Sequence, residues 1–488
     1  MVKVEHITKD WKEAGAFQAH INLYGLWDEH CFLTKTGDLG SVLRIGGIDY
    51  ESLDHAGRDY AVKRLEAAFR SLDDKCRLYQ ILFKHNRPAI PHAEYDSPLV
   101  RAAVEQRNAF LQSKADRLYS IETYWVVMVD GKYAKSGLFH ALFQLMKSPR
   151  SCIKELKTLF AGKQQRTLLY EQIERDRLLL QQKVNSLSGQ LNDLMRVELS
   201  GAEGICRLAR RLVNFRPSKI AEAPLCGTRH LDWQVCDSEL EAHRGYLRVD
   251  DDYVRVLTLK ELPGETQPLI LNGLLDISAN FHVVTEWHPV DNAKARKEIA
   301  SRRRHHHNSK TSFVSNLQDR GNTANQDNLV DDSKAAAVAE LGGALTAMGM
   351  EGKNFGEFTL SVVVYDEDRA KVEHAVAEFQ KLFTQHDGLL YEERYNLLNA
   401  FFATVPGNRQ FNLRKQWALN SNYADLSFFF TVDSGSPWNP HLEREYLAVL
   451  ESTHGTPYYF NLHFGKTYGL ILPAMRQLFA YRANIAAS

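Results

Sequence analysis

With 488 residues, 44% hydrophobic and 25% charged, the chain has room for roughly two to four domains at about 150 residues each, and wholesale disorder or a collagen-like repeat is excluded. Lys and Arg number 60, as do Asp and Glu, for a formal net charge of zero. This excludes the basic excess of a dedicated nucleic-acid binder and, by removing self-repulsion, suits a subunit that lives in an assembly.

The six cysteines, Cys31, Cys76, Cys152, Cys206, Cys226 and Cys236, form no C-x-x-C pair, so a zinc ribbon and a thioredoxin motif are excluded. A chain of this size needs no disulfide framework, and the thiols read as reduced, in a cytosolic setting. Met1–Gln18 is polar and charged, with no apolar signal core. Spanning a bilayer takes about 20 apolar residues; the best runs, Trp125–Val129 and Leu426–Val432, are far shorter.

In chain order, residues 30–48 read as a β-hairpin, with His30–Thr36 extended, Gly37-Asp38 turning and Ser41–Ile45 returning. Tyr60, Leu65, Ala68, Phe69 and Leu72 share one face of a helix over 55–72. Leu78–Lys84 alternates as a strand, a helix runs through 99–118, and Ile121–Val129 is a buried strand rich in β-branched and aromatic residues. From Cys152 to Leu199 Gly and Pro almost vanish, and Leu169, Ile173, Leu180, Val184, Leu187, Leu191 and Leu194 form a heptad-like stripe interrupted at Asp176. Two readings fit the stripe: a long helical hairpin packed within one subunit, or an intermolecular coiled coil.

Beyond a short helix in 201–226, Tyr253–Leu259 and Phe281–Glu286 read as strands. Residues 290–356, with Arg302–Arg304, His305–His307 and a Ser/Asn/Asp/Gln-rich run, read as an extended polar helix with a joint near Asp319–Gln326. Phe358–Tyr365 is a strand; Arg369–Gln385 is an amphipathic helix with Val372, Ala375, Val376, Phe379 and Phe383 inward. Leu389–Tyr391, Asn396–Thr404, the turn Pro406-Gly407-Asn408, and the strands Ser427–Val432 and Tyr458–His463 follow. Hairpins mixed with helices give an α+β class. The expected organisation is an N-terminal mixed domain over 1–135, a helical arm over 136–215, a second mixed lobe over 216–463 containing the polar stretch 290–356, and a divergent tail over 464–488. The arm is expected to be an interaction surface rather than core.

The chemistry-bearing patterns are sparse. Gly465-Lys466-Thr467 resembles the end of a phosphate loop, but G-x-x-x-x-G-K-[ST] places its first glycine at position 460, which is Phe460. Asp130 and Asp366 each end a strand, as a magnesium-holding acid would, yet no phosphate loop precedes them; a strand followed by a turn is the plainer reading. Adjacent histidines at 305–307 point different ways and have no carboxylate at i+3 or i+4 to close a metal site; beside three arginines they read as a solvated basic face. The residues alone give no catalytic, cofactor-binding or metal-ligating set.

The chain resembles the N-terminal half of the CagE/TrbE/VirB family, the ATPases of type IV secretion and conjugal transfer, with the nearest likeness to the TrbE branch. The likeness runs through Asn22–Asp28 with His30–Ile48, Lys334–Gly356, Phe358–Asn408, Asn422–Asp433 and Glu451–His463. Family members continue from a segment like Tyr459–His463 into a Walker A loop and a RecA-like motor, whereas this chain departs at about Phe464. The resemblance implies a docking and assembly module without a complete P-loop domain, and without ATP or Mg of its own, which full-length members use. It implies inner-membrane components of the channel and other copies of the ATPase as partners, with nucleic acid not expected, and a cytoplasmic position at the inner-membrane face. The alternatives are a subunit of an ATP-hydrolysing motor whose ATPase half lies on another chain or was lost by frameshift, and a nucleic-acid adaptor using Arg302–His307. Residues 464–488 are expected to pack poorly.

Overall fold

A computed structural model describes residues 17–462, except 87, 89, 115–116, 132–162, 222–224, 226–229, 298–352 and 440–441, and without the side chains of 163–169 and 221. The polar stretch with Arg302–His307, the tripeptide Gly465-Lys466-Thr467 and the tail from 464 lie outside the described residues.

The N-terminal part supplies β1 (Leu23–Leu26), β2 (Phe32–Thr34), β3 (Leu39–Ile45), β4 (Ile48–Asp49), α1 (His55–Phe69), β5 (Cys76–Asn86), α2 (Pro98–Ser113) and β6 (Tyr119–Val129). After these come α3 (Lys163–Leu191), β7 (Val197–Leu199), α4 (Ala202–Val213), α5 (Pro217–Ala221) and α6 (Leu231–Val235). Next are β8 (Leu240–His243), β9 (Tyr246–Val249), β10 (Asp252–Glu261), β11 (Asn280–Pro289), β12 (Phe355–Asp366), α7 (Arg369–Thr384), β13 (Leu389–Glu392) and α8 (Leu397–Ala403). The chain then forms β14 (Gln416–Leu419), α9 (Asn420–Asp425), β15 (Phe430–Thr431), β16 (Trp438–Asn439), β17 (Arg444–Glu445), β18 (Ala448–Glu451) and β19 (Pro457–Phe460).

Thirteen of the strands form one sheet in the order β1-β2-β3-β6-β5-β11-β12-β10-β9-β8, with β7 on β3, β13 on β10 and β14 on β12. Where the sequence suggests two mixed lobes, the ladder is unbroken: β5 of the first pairs antiparallel with β11 of the second from Leu78↔Trp287 to Lys84↔Phe281. Helices cover both faces, so long strands are apolar on both sides. In β6, Trp125, Val127 and Val129 face the layer built with α1, α3, α7 and α9; Val126 and Met128 face the layer built with α4, α6 and α8. Burying one such side chain stabilises the fold by about 1.5–3 kcal/mol. Two of the helices start on aspartate caps. Asp54 accepts from Gly57 N–H (2.7 Å) ahead of α1, and Asp368 accepts from Ala370 N–H (2.9 Å) ahead of α7, whose five expected core residues are buried.

Three findings correct the sequence reading. First, α3 is strand-free, and its apolar stripe is core rather than a free surface. Ile173, Leu180, Val184, Leu187 and Leu191 are buried in the main core against β3, β6 and α1, and Lys183 of α3 pairs with Asp73 (3.0 Å). The heptad spacing reported an apolar stripe correctly; the partner is the subunit's own sheet. Second, Ser427–Val432 is strand only at Phe430–Thr431, which pairs in parallel with β4. The buried Gln80 side chain captures the rest, accepting from Phe428 N–H (3.0 Å) and donating to Ser427 Oγ (2.9 Å). Third, Tyr60 lies outside the buried face of α1, 56% exposed.

The turn Pro406-Gly407-Asn408 ties the start of the described chain to the end of α8. Asn408 accepts from Asn22 N–H (2.9 Å) and donates to the carbonyls of His20 (2.9 Å) and Phe402 (2.8 Å). Gly407 has φ +94°, and a Cβ there would meet the Thr34 methyl at 2.8 Å, so glycine is required.

His282 of β11 is fully buried between Phe83, Phe215 and Tyr365, and neither ring nitrogen has a partner among the described residues. Burial, aided by Arg211, depresses its pKa to about 3. The folded imidazole therefore stays neutral while the unfolded one takes a proton below about 6.5, so stability present above that value is lost as pH falls. Between pH 7 and pH 5 this site should cost about 2 kcal/mol. Urea midpoints measured at both pH values should show the loss, and His282→Phe should reduce it; an unchanged pH slope would refute the assignment.

Candidate docking cleft

A cavity of about 610 Å³ opens where β3 ends and β6 runs on. Its floor is Tyr119–Tyr124 of β6 with Arg44 of β3 and His85 of β5; one wall is α4 and the start of α5, with Arg207, Arg211 and Phe215. The opposite wall comes from the C-terminal ribbons, with Thr431, Pro437, Pro457 and Tyr459. Strand alternation places Arg44, Glu122, Tyr124 and His85 on one face of the sheet, and α4 lies over that face.

Arg211 ties wall to floor. It pairs with Glu122 (2.8 Å) and lies over the Phe83 ring at 4.2 Å. Tyr124 donates to the second Glu122 oxygen (2.7 Å). Burial pushes the Glu122 carboxyl up, but Arg211 and the Tyr124 hydrogen bond outweigh it and its pKa ends below the ordinary value. Burial likewise opposes the charge on Arg211, yet Glu122 raises its pKa overall, so the pair is ionised. Burial, then Arg211, lowers His85 to about 4. Arg44 and Arg207 form no ion pair among the described residues and leave the rim positive.

The C-terminal wall leans on α2. Val449 and Tyr459 pack with Leu111, Leu118 and Tyr446 in a small separate core, and Lys114 pairs with Glu451. The same ribbons expose Leu442, Leu447, Leu450 and Leu462.

The two strand-ending acids are brought to different fates. Asp130 accepts from Arg77 Nε (2.8 Å) and Nη2 (3.1 Å) and pairs with Arg409; burial raises its pKa, but the Arg77 hydrogen bond and charge bring it below the ordinary value. Asp366 accepts from Asp368 N–H (2.9 Å) in the turn before α7. Among the described residues no three His, Cys, Asp or Glu side chains stand together as a metal set. Nor do the cleft residues fit Mg-ATP. Its acid is already held by Arg211, and no glycine-rich run of N–H donors faces it. Cys31, Cys76, Cys206 and Cys236 are free thiols. The cleft itself was not legible in the sequence: Arg44, Glu122 and Arg207 belong to three elements and share no motif.

Two family profiles match the chain: the N-terminal domain of the type IV secretion system ATPase VirB4/TrbE over residues 30–136, and the CagE, TrbE, VirB family, component of type IV transporter system, over 205–328 and 323–414. The chain is 25% identical over 252 residues to the conjugal transfer protein TrbE of Rhizobium radiobacter, covering 51% of this chain and 29% of that protein. It is 26% identical over 219 residues to the type IV secretion system protein virB4 of Brucella abortus, covering 44% and 23%. With virB4 of Bartonella quintana it shares 21% identity over 451 residues, covering 90% and 52%. The chain thus spans about half or less of the length of these curated relatives. No helix among the described residues is long and apolar enough to cross a membrane. The profiles, which together match residues 30–136 and 205–414, and relatives named for type IV secretion and conjugal transfer show that the chain belongs to the CagE/TrbE/VirB family.

Proposed function

We propose that these 488 residues act as a docking and assembly module of a type IV secretion or conjugal transfer ATPase, at the cytoplasmic face of the inner membrane, with ATP hydrolysis carried by residues outside them. The observation that supports this is the chemistry of the cleft. Its titratable groups are locked rather than poised: Glu122 is ionised in an ion pair, and His85 is held neutral far below working pH. A proton-transfer site wants a pKa near working pH; a recognition site wants fixed charges and aromatic walls, which Arg44, Arg207, Tyr119 and Tyr459 provide. The apolar side chains exposed on the adjoining ribbons suit contact with other copies or with channel components.

The tagged chain, expressed with the inner-membrane components of its own secretion system and extracted in detergent, should co-purify with at least one of them. Isothermal titration of the chain alone with Mg-ATP should show no heat above dilution. Absence of any component from the eluate, or saturable ATP binding, would overturn the reading.

A further inference from the structure

Among the described residues, the cleft contains a gap in the sheet. β6 pairs with β5 along its whole length, from Cys76↔Val129 to Asn86↔Tyr119, but with β3 only from Val129 down to Thr123. At the far end, Tyr119 N–H donates to the Gly455 carbonyl (2.8 Å), which closes the edge again. Successive residues of an antiparallel strand turn their peptide groups to opposite sides. Asp130 N–H bonds to Lys75, on the β5 side, and Tyr119 N–H points the other way. Ile121 keeps the phase of Tyr119, so its N–H and C=O face the gap between Ile45 and Gly455.

We propose that an extended acidic peptide enters the cleft and pairs with Ile121 as an added strand, with its carboxylates met by Arg44 and Arg207. This rests on the docking reading of the cleft and names the guest. A peptide backbone offers both the acceptor and the donor that Ile121 requires, whereas a phosphodiester backbone only accepts; this favours peptide over nucleic acid. The charge preference follows from the pairing already in place. Glu122 is held by Arg211 and Tyr124, and Arg44 acts on it through charge alone, so the hydrogen-bonding groups of both rim arginines are turned to the guest. Ser120–Glu122 lie between the two paired ends, so the open stretch admits a guest segment of about three residues, at roughly 3.3 Å each.

The test uses the full chain and fluorescence anisotropy with a fluorescein-labelled octapeptide alternating Glu and Val. Controls are its Lys/Val counterpart, a version N-methylated at alternate residues, and an eight-nucleotide oligo-dT. The acidic peptide should bind saturably. Arg44→Glu with Arg207→Glu, both surface changes, should weaken it about tenfold. N-methylation in the register that faces β6 should weaken it further. Equal binding of the Lys/Val peptide, indifference to N-methylation, or stronger binding of oligo-dT would overturn strand addition. Retained co-purification of a channel component without acidic-peptide binding sinks this proposal and leaves docking standing. Peptide binding without any co-purified component does the reverse.

Discussion

Replacing Leu187 and Leu191 of α3 together with Asp should abolish the folded state of the whole chain rather than release an arm. Both side chains are 0% exposed, in the core layer shared with Trp125, Val127 and Phe69. Leu187→Ala alone should cost about 3 kcal/mol through lost transfer energy and the cavity left behind. The double Asp variant adds two unpaired buried charges and should exceed about 5 kcal/mol, comparable with the entire stability of a domain. Far-UV and near-UV circular dichroism should be lost together. Leu178, on the outer side of the same helix and 53% exposed, is the control: Leu178→Asp should change stability by less than about 0.5 kcal/mol. Persistence of the β-sheet signal in the double variant would show that α3 is a peripheral element after all.

Arg77→Ala should be the most damaging polar substitution, at about 3–5 kcal/mol. Arg77 of β5 holds Asp130 through two nitrogens and Glu286 of β11 through a third (2.7 Å). Glu286 also accepts from Asn412 (3.0 Å), and Arg409 reaches both Asp130 and Asp38. This buried network joins the strands across which the two halves of the sheet meet. Removing Arg77 leaves the buried Glu286 and the half-buried Asp130 short of their main partner, and the cost is desolvation without compensation. The pH dependence checks the cause. Asp130 has a depressed pKa, so it contributes stability above its ordinary value, near 3.8, that is lost as pH falls below it. In Arg77→Ala that contribution is already gone and protonation relieves the buried charge. The difference from wild type in guanidinium unfolding should therefore shrink toward pH 4. A penalty below about 1 kcal/mol at pH 7 would mean that Arg409 alone suffices.

Elements whose signals are local could be read directly from the residues. Alternation marked β5 and β12, β-branched and aromatic composition marked β6 as a buried strand, and Tyr253–Leu259 and Phe281–Glu286 stood out as the strands that became β10 and β11. The 3.6-residue spacing of Val372, Ala375, Val376, Phe379 and Phe383 marked α7, and Gly37-Asp38 marked the first hairpin turn. Long segments in family order were enough to identify the relatives. What each apolar stripe faces was settled only in three dimensions. The α3 stripe is equally compatible with a neighbouring subunit and with the chain's own sheet, since spacing specifies an apolar face and not its cover. Tertiary contacts likewise assign Asp130 to Arg77 and Arg409 rather than to a metal, and make Gln80 end a strand that apolar composition favoured at Ser427–Val432. The cleft is the extreme case. Arg44, Glu122 and Arg207 are ordinary surface-type residues in sequence, and they converge only because β3 stops two residues short of Ile121 while α4 crosses the sheet at that point.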